Sequence, residues 1–199
     1  MLSPAYCGGK RSQLLLRPQS QFDLAQRLRG KSGVELGELF SFLSGLYFRG
    51  KLSYSTNFAL PPIGVPGTVV ITPTRGLMLP TEPVHLERLH EFAQVEIGLT
   101  EKRFQEPFVQ SAEHLVGQLR ENCEVVLLGS IATGKYLDTL TSIFGNRLRF
   151  PAEFAGRGDM SRGGLLLRCV TEQRELTYVS LSRGARHSSR PPKLPRLRS

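Results

Sequence analysis

The chain has 199 residues, 40% of them hydrophobic and 22% charged, a composition that fits one folded domain with or without tails and excludes wholesale disorder. No apolar run approaches the ~20 residues needed to cross a bilayer, and the first residues lack a charged-then-apolar signal pattern. The net charge of +9 sits in the ends: residues 1–31 carry six basic groups against Asp23, residues 183–199 carry six and no acid, and the stretch between them is net −2.

These features predict a cytoplasmic protein without a membrane partner. Basic ends give salt-sensitive, sequence-independent attraction to phosphates, so nonspecific nucleic acid is one expected partner, held by the ends and not by a dedicated reading surface. Cys7, Cys123 and Cys169 are too far apart for a disulfide framework or a metal motif and read as buried, inert thiols.

Taken in chain order, residues 1–20 contain Pro4, Gly8, Gly9 and Pro18 and read as loop, with a short strand at 14–16. Residues 22–29 read as a short helix with Leu24 and Leu28 on one side. From Val34 onward, Leu36, Leu39, Phe40, Leu43, Leu46 and Tyr47 recur at three- and four-residue steps, the stripe of a core-facing helix. The helix resumes over 52–58, and the proline- and glycine-rich segment 61–67 breaks it.

Residues 68–72 are β-branched throughout and predict a buried strand that ends in a turn at 73–77. Thr81-Glu-Pro then caps a helix whose apolar face is Leu86, Leu89, Ala93 and Ile97. Phe108, Ala112, Leu115, Val116 and Leu119 mark another helix over 105–121. A strand over 125–128, a glycine loop and a helix carrying Leu137, Leu140 and Ile143 follow, then a short strand at 147–150. After a glycine-rich loop at 156–164, the runs 165–170 and 176–181 read as an antiparallel hairpin.

The expected fold is α/β: a sheet of mostly parallel strands sandwiched by helices, with that C-terminal antiparallel hairpin. The expected organisation is a loop-rich segment 1–20, a single domain 21–182 and a basic, proline-rich tail 183–199.

The segment 124–140 carries the sharpest motif. Gly129, Gly134 and Lys135 fall on the spacing G-x-x-x-x-G-K-[ST] of a phosphate-binding loop, but Tyr136 stands where a small hydroxyl would hold magnesium. The loop also comes late in the chain, and no later strand ends in a suitable acid. Three readings stay open: a catalytic phosphate loop, a looser anion-binding turn with Gly129, Ser130 and Thr133 near the ligand, and a structural strand-to-helix turn. Ligands of α/β sheets bind beyond the carboxyl ends of the strands, which adds Thr74 and Arg75 in the turn after 68–72.

Arg157, Asp159, Ser161 and Arg162 in the glycine-rich loop offer two guanidinium forks and a carboxylate. Arg49 and Lys51 lie beside aromatic residues, a pattern that serves a base or a phosphate, or otherwise a helix end with solvated charges and buried rings. The four histidines form no metal-ligand spacing.

The segments Ser44-Gly-Leu-Tyr-Phe-Arg-Gly-Lys-Leu-Ser-Tyr-Ser55, Val70-Ile-Thr-Pro-Thr-Arg-Gly-Leu77, Val125-Val-Leu-Leu-Gly-Ser130 and Phe154-Ala-Gly-Arg-Gly-Asp-Met-Ser-Arg-Gly-Gly164 resemble an uncharacterised bacterial protein family. Their order is distantly similar to α/β domains of the uracil-DNA-glycosylase type, including the peroxide-stress protein family, over roughly residues 36–168. The resemblance implies a nucleobase- or nucleic-acid-related pocket at the strand ends and carries over no catalytic residue.

The leading expectation is therefore a protein that binds a nucleotide, nucleobase or other anionic small molecule at the strand ends, with no reaction assigned. The alternatives are a non-enzymatic protein that associates with nucleic acid through its basic termini, and a phosphotransferase or NTPase.

Overall fold

Helix takes up about half of the described residues, which are 1–129 and 136–180 of a computed structural model. Residues 10–16, expected to end in a strand, coil into α1 (Lys10–Leu16), with Leu15 fully buried. In α2 (Asp23–Arg29) an acid in the first turn and two arginines in the last complement the helix dipole. β1 (Val34–Glu35) runs straight into α3 (Leu36–Ser44). Gly45 then adopts φ 65°, which ends α3 and starts α4 (Leu46–Phe58).

Short strands follow: β2 (Val70–Ile71), β3 (Leu77–Met78) and β4 (Pro83–Val84). Next come α5 (Leu86–Ala93), α6 (Lys102–Gln118), β5 (Val125–Val126), α7 (Leu137–Phe144) and β6 (Leu148–Pro151). The described chain closes with α8 (Asp159–Thr171) and β7 (Tyr178–Ser180).

This architecture overturns the expected sheet. Among the described residues β1 pairs with β4 and β2 with β3, both antiparallel, and only β5-β6-β7 has three strands, parallel at β5-β6 and antiparallel at β6-β7. The described residues contain no large, mostly parallel sheet sandwiched by helices. The strand signals were real but short. Prolines at 61, 62, 66, 73 and 80 lack the amide a ladder needs, and the ladder between β2 and β3 shrinks to two residues each.

The C-terminal hairpin is also absent. Residues 165–170 belong to α8, and β7 pairs with β6 instead. A six-residue apolar run fits a strand or a buried helix equally well. Here the buried positions Arg162, Leu165, Leu166 and Cys169 recur at three and four, on one helical face. Thr81-Glu-Pro does not cap a helix either, because Pro83 and Val84 pair with Glu35 and Val34, and α5 opens three residues later.

Single bridges tie the strand patches together. Leu2 pairs in parallel with both Val70 and Leu128, through Leu2 N to Val69 O (2.8 Å), Ile71 N to Leu2 O (3.0 Å), Leu128 N to Met1 O (2.9 Å) and Ser3 N to Leu128 O (3.1 Å). The two-residue period of extended chain then divides the core. Leu2, Val70 and Leu128 enter one apolar cluster with Phe40, Phe48, Phe92 and Leu166. Met1, Val69, Ile71 and Leu127 enter the other, with Phe104, Phe108, Leu140 and Phe150.

The first cluster is organised by α4 crossing α8. A Cβ on Gly50 would lie 2.7 Å from Gly163 O, and one on Gly163 would lie 2.8 Å from both Leu46 O and Tyr47 Cα. Backbone therefore meets backbone, which only glycine permits on either side. Gly163→Ala is expected to destabilise the protein by about 2 kcal/mol or more through overpacking. Gly164→Ala, with nothing within 4 Å of its Cβ, should instead be neutral or stabilising by up to about 1 kcal/mol. Urea denaturation of the two variants checks the opposite signs.

Candidate functional site

Three stretches that run in the same direction, 1–3, 69–72 and 125–129, end on the same side of the molecule, and a cavity of about 650 Å³ lies there. It is lined by the backbone-rich segment 3–8, by Ser44 and Tyr47, by Pro73, by 92–97, and by Tyr136 and Asp159. The hollow is of ligand size and lies at the ends of short stretches, not at the edge of a large parallel sheet.

The glycine crossing brings the polar groups together. On α4, Tyr47 and Lys51 are one turn apart and both buried, and Lys51 is only 1% exposed. Lys51 Nζ donates to Ser3 O (2.6 Å) and to Ser3 Oγ (2.8 Å), and lies 4.6 Å from the Tyr47 ring centroid and 4.7 Å from that of Phe48. Burial lowers its pKa to about 7; Asp159 opposes that shift and Arg162 adds to it.

On α8, Arg162 is buried behind the cavity. Its Nε and Nη2 both donate to Phe154 O at 3.2 Å, its guanidinium sits 5.4 Å from the Phe154 ring centroid, and its Nη1 is 3.6 Å from Asp159 Oδ1.

Two phenols complete the arrangement. Tyr136, at the start of α7, is pushed up to about 12 by burial, partly offset by a hydrogen bond with the Ser3 side chain. Gly129 makes room for this contact, since a Cβ there would meet Ser3 Cβ at 2.7 Å and Tyr136 Oη at 3.2 Å. Burial also raises the Tyr47 pKa. Its hydroxyl is buried without a hydrogen bond of good geometry, and its interaction with the Arg162 guanidinium partly offsets that rise.

The site residues expected from sequence divide into three groups. Gly129, Asp159 and Arg162 converge here. Thr74 and Arg75, in the turn between β2 and β3, are both held by Glu91 of α5, Thr74 Oγ1 by a short hydrogen bond and Arg75 by a 2.8 Å ion pair. Arg157 donates to Glu153 O (2.9 Å) and to Ser161 Oγ (3.2 Å), so these two stabilise the entry to α8. The glycine-rich loop that suggested them is largely the first turns of that helix. Ser130, Thr133, Gly134 and Lys135 lie outside the described residues, as does the tail 183–199.

Of the basic residues near the other end, Arg11, Arg27 and Arg29 are taken up by Phe42 O, by Asp23 with Glu38, and by three backbone carbonyls respectively. Among the described residues no helix is long and apolar enough to cross a membrane, and no group of three or more His, Cys, Asp or Glu side chains could hold a metal ion.

Sequence reasoning missed Ser3, Tyr47 and Tyr136 as site residues and Lys51 as a buried one. The signal for Lys51 was its place on the stripe Tyr47, Lys51, Tyr54 and Ser55, all buried, where a solvated lysine does not belong.

A second cavity, of about 450 Å³, lies at the opposite ends of the same segments, between residues 54–69 and 115–126. Its tyrosines are engaged with one another and with the chain: Tyr54 Oη bonds Tyr178 Oη (2.7 Å) and accepts from Leu176 N (2.8 Å), and Tyr178 Oη donates to Glu175 (2.7 Å). Comparison with protein-family models, curated proteins and solved structures finds no match.

The burial of Lys51 sets a pH signature. Its amine binds fewer protons in the native than in the unfolded chain between about pH 7 and 10.5. Native stability therefore rises with pH across that window, and the full penalty applies below it. Lys51→Met removes this dependence. Relative to wild type the variant should be most favoured at pH 7 and below, and lose on the order of 3–5 kcal/mol of that advantage by pH 10.5. Urea titrations from pH 6 to 10.5 measure the difference in slope.

Proposed function

We propose that the protein binds a small, flat ligand of the nucleobase or nucleoside class in the cavity beside Ser3. The observation that carries this reading is the lining of that cavity, where aromatic surface from Tyr47, Phe92 and Tyr136 meets the acceptors of Gln94, Glu96 and Asp159. The Tyr47 hydroxyl lacks a hydrogen bond of good geometry in the free protein, and a ligand atom that bonds it recovers part of the about 1–3 kcal/mol that such a group costs.

This lining suits a heteroaromatic ring. Tyr47, Phe92 and Tyr136 supply aromatic surface. Tyr6, 79% exposed, lies across Gly8 and Gly9 at the same cavity and offers a face for stacking. Gln94, Glu96 and Asp159 provide acceptors for ring and exocyclic N–H groups. Among the described residues a bare phosphate is the poorer fit at this wall: the charged side chains lining it are the carboxylates of Glu96 and Asp159, while Lys51 and Arg162 lie behind it. The expected ligand thus narrows from any anion to the base end of a nucleotide, the class that the resemblance noted in the sequence also implies.

Tyr47→Phe separates stability from binding. Loss of a hydroxyl that has no well-formed hydrogen bond should leave the free protein as stable as wild type or up to about 1 kcal/mol more stable. Affinity for the best ligand should fall roughly 3- to 10-fold, the worth of one hydrogen bond. Thermal-shift screening with purine and pyrimidine bases and nucleosides finds that ligand, and isothermal calorimetry compares the two proteins. A flat thermal response to the whole panel at millimolar concentration defeats the proposal.

A further inference from the structure

Ser3 and Lys51 form a pair that ligand binding alone does not require. Ser3 is part of the cavity wall, whereas Lys51 lies directly behind it, with Nζ 2.8 Å from Ser3 Oγ. Tyr136 holds the same hydroxyl from another side, packed with it into the space that a side chain on Gly129 would fill. A serine hydroxyl with a base at hydrogen-bond distance, oriented by a third group and exposed to a cavity, is the arrangement of an activated nucleophile.

We propose that Ser3 is a nucleophile with Lys51 as its general base, and that the cavity performs acyl transfer on a small carboxylic ester or amide. In the first step the Ser3 Oγ–carbon bond forms at the substrate carbonyl while the hydroxyl proton passes to the neutral Lys51 amine. The bond from the acyl carbon to the leaving oxygen or nitrogen then breaks, and the leaving group departs with the proton from Lys51 as alcohol or amine. Water attacks the acyl-Ser3 ester with Lys51 again accepting the proton; the bond from the acyl carbon to Ser3 Oγ then breaks, Lys51 returns the proton to Oγ, and the carboxylic acid leaves. Tyr136 is a positioning residue that fixes the Oγ rotamer.

The electrostatic surroundings support the role of Lys51. Buried among Tyr47, Phe48 and Ser3, with Arg162 nearby, its amine is held near about 7, so a large fraction is neutral at neutral pH, as a base must be. Ser3 O remains an acceptor for one of its N–H groups in that state. Asp159 faces the same amine from α8 and stabilises the ammonium formed during the reaction.

The inference rests on the reading of this cavity as a ligand site, but its test does not use that ligand. The intact protein is incubated with a small alkyl fluorophosphonate, whose phosphorus takes the Ser3 Oγ as fluoride leaves, and the adduct is mapped by peptide mass spectrometry. Labelling should fall on Ser3 and not on Ser44, which lines the same cavity. It should vanish in Ser3→Ala and slow at least ~100-fold in Lys51→Met, the lower range for loss of a general base.

Folded wild-type protein that gains no adduct at Ser3, or labels Ser44 as fast, overturns the proposal. So does a folded Lys51→Met protein that labels at the wild-type rate. Should Lys51→Met fail to fold, the Ser3 against Ser44 comparison in wild type decides alone. A protein that binds bases yet leaves Ser3 unlabelled loses the acyl-transfer chemistry and keeps the binding function. One labelled at Ser3 with no response to bases keeps the chemistry and loses the proposed ligand.

Discussion

The backbone contact between Gly50 and Gly163 is the constraint on which the rest of the arrangement depends. Helices whose axes are kept apart by ordinary side chains sit 8–10 Å from one another; with glycine on both sides they move closer. That approach puts residue 51 one position past the crossing on α4 and residue 162 one position before it on α8. The side chains at those positions then share one interior space with Ser3. Had either helix carried a larger residue at the crossing, Lys51 and Arg162 would have been separated and hydrated.

Two cations buried within one neighbourhood are costly, and the structure offsets that cost locally. A desolvated ammonium or guanidinium needs hydrogen-bond acceptors and opposite charge to remain in place. Lys51 has the Ser3 carbonyl, the Ser3 hydroxyl and two aromatic faces. Arg162 has the Phe154 carbonyl, the Phe154 ring and Asp159. The two differ in their response to burial. A guanidinium keeps its proton under all ordinary conditions, whereas an amine surrenders it. The fold therefore turns two equivalent charges into a permanent cation and a titratable group, which is the separation of roles that acid–base chemistry uses.

What the sequence disclosed follows from where each signal resides. Helices with a sustained apolar stripe, such as Leu36, Leu39 and Phe40 or Leu137 and Leu140, were legible because their period is local. The helix over 159–171 was not, because its four nearby glycines register as breakers on any propensity scale; the use of one of them, Gly163, at a helix crossing appears only once the partner helix is known. The same holds for the site. Gly129, Asp159 and Arg162 stood out by residue type within short motifs. The contact of Ser3 with Lys51 spans 48 positions and leaves no spacing to recognise. Thr74 and Arg75 looked like ligand contacts for want of any sign that Glu91, on the next helix, would hold them.

The double pairing of Leu2 has a consequence for how the molecule assembles. Its partners, Val70 and Leu128, lie far along the chain, so residue 2 cannot complete its pairing until both have been made. Loop closure over such spans is slow. Until residue 128 has been made, the apolar positions 1, 2, 69, 70 and 71 have no complete set of neighbours, and the hydroxyl of residue 3 has no cavity to line. Helix pairs such as α3–α4 can form early and by themselves. The site cannot: it closes at the end of folding, together with the two cores that meet along residues 1 to 3.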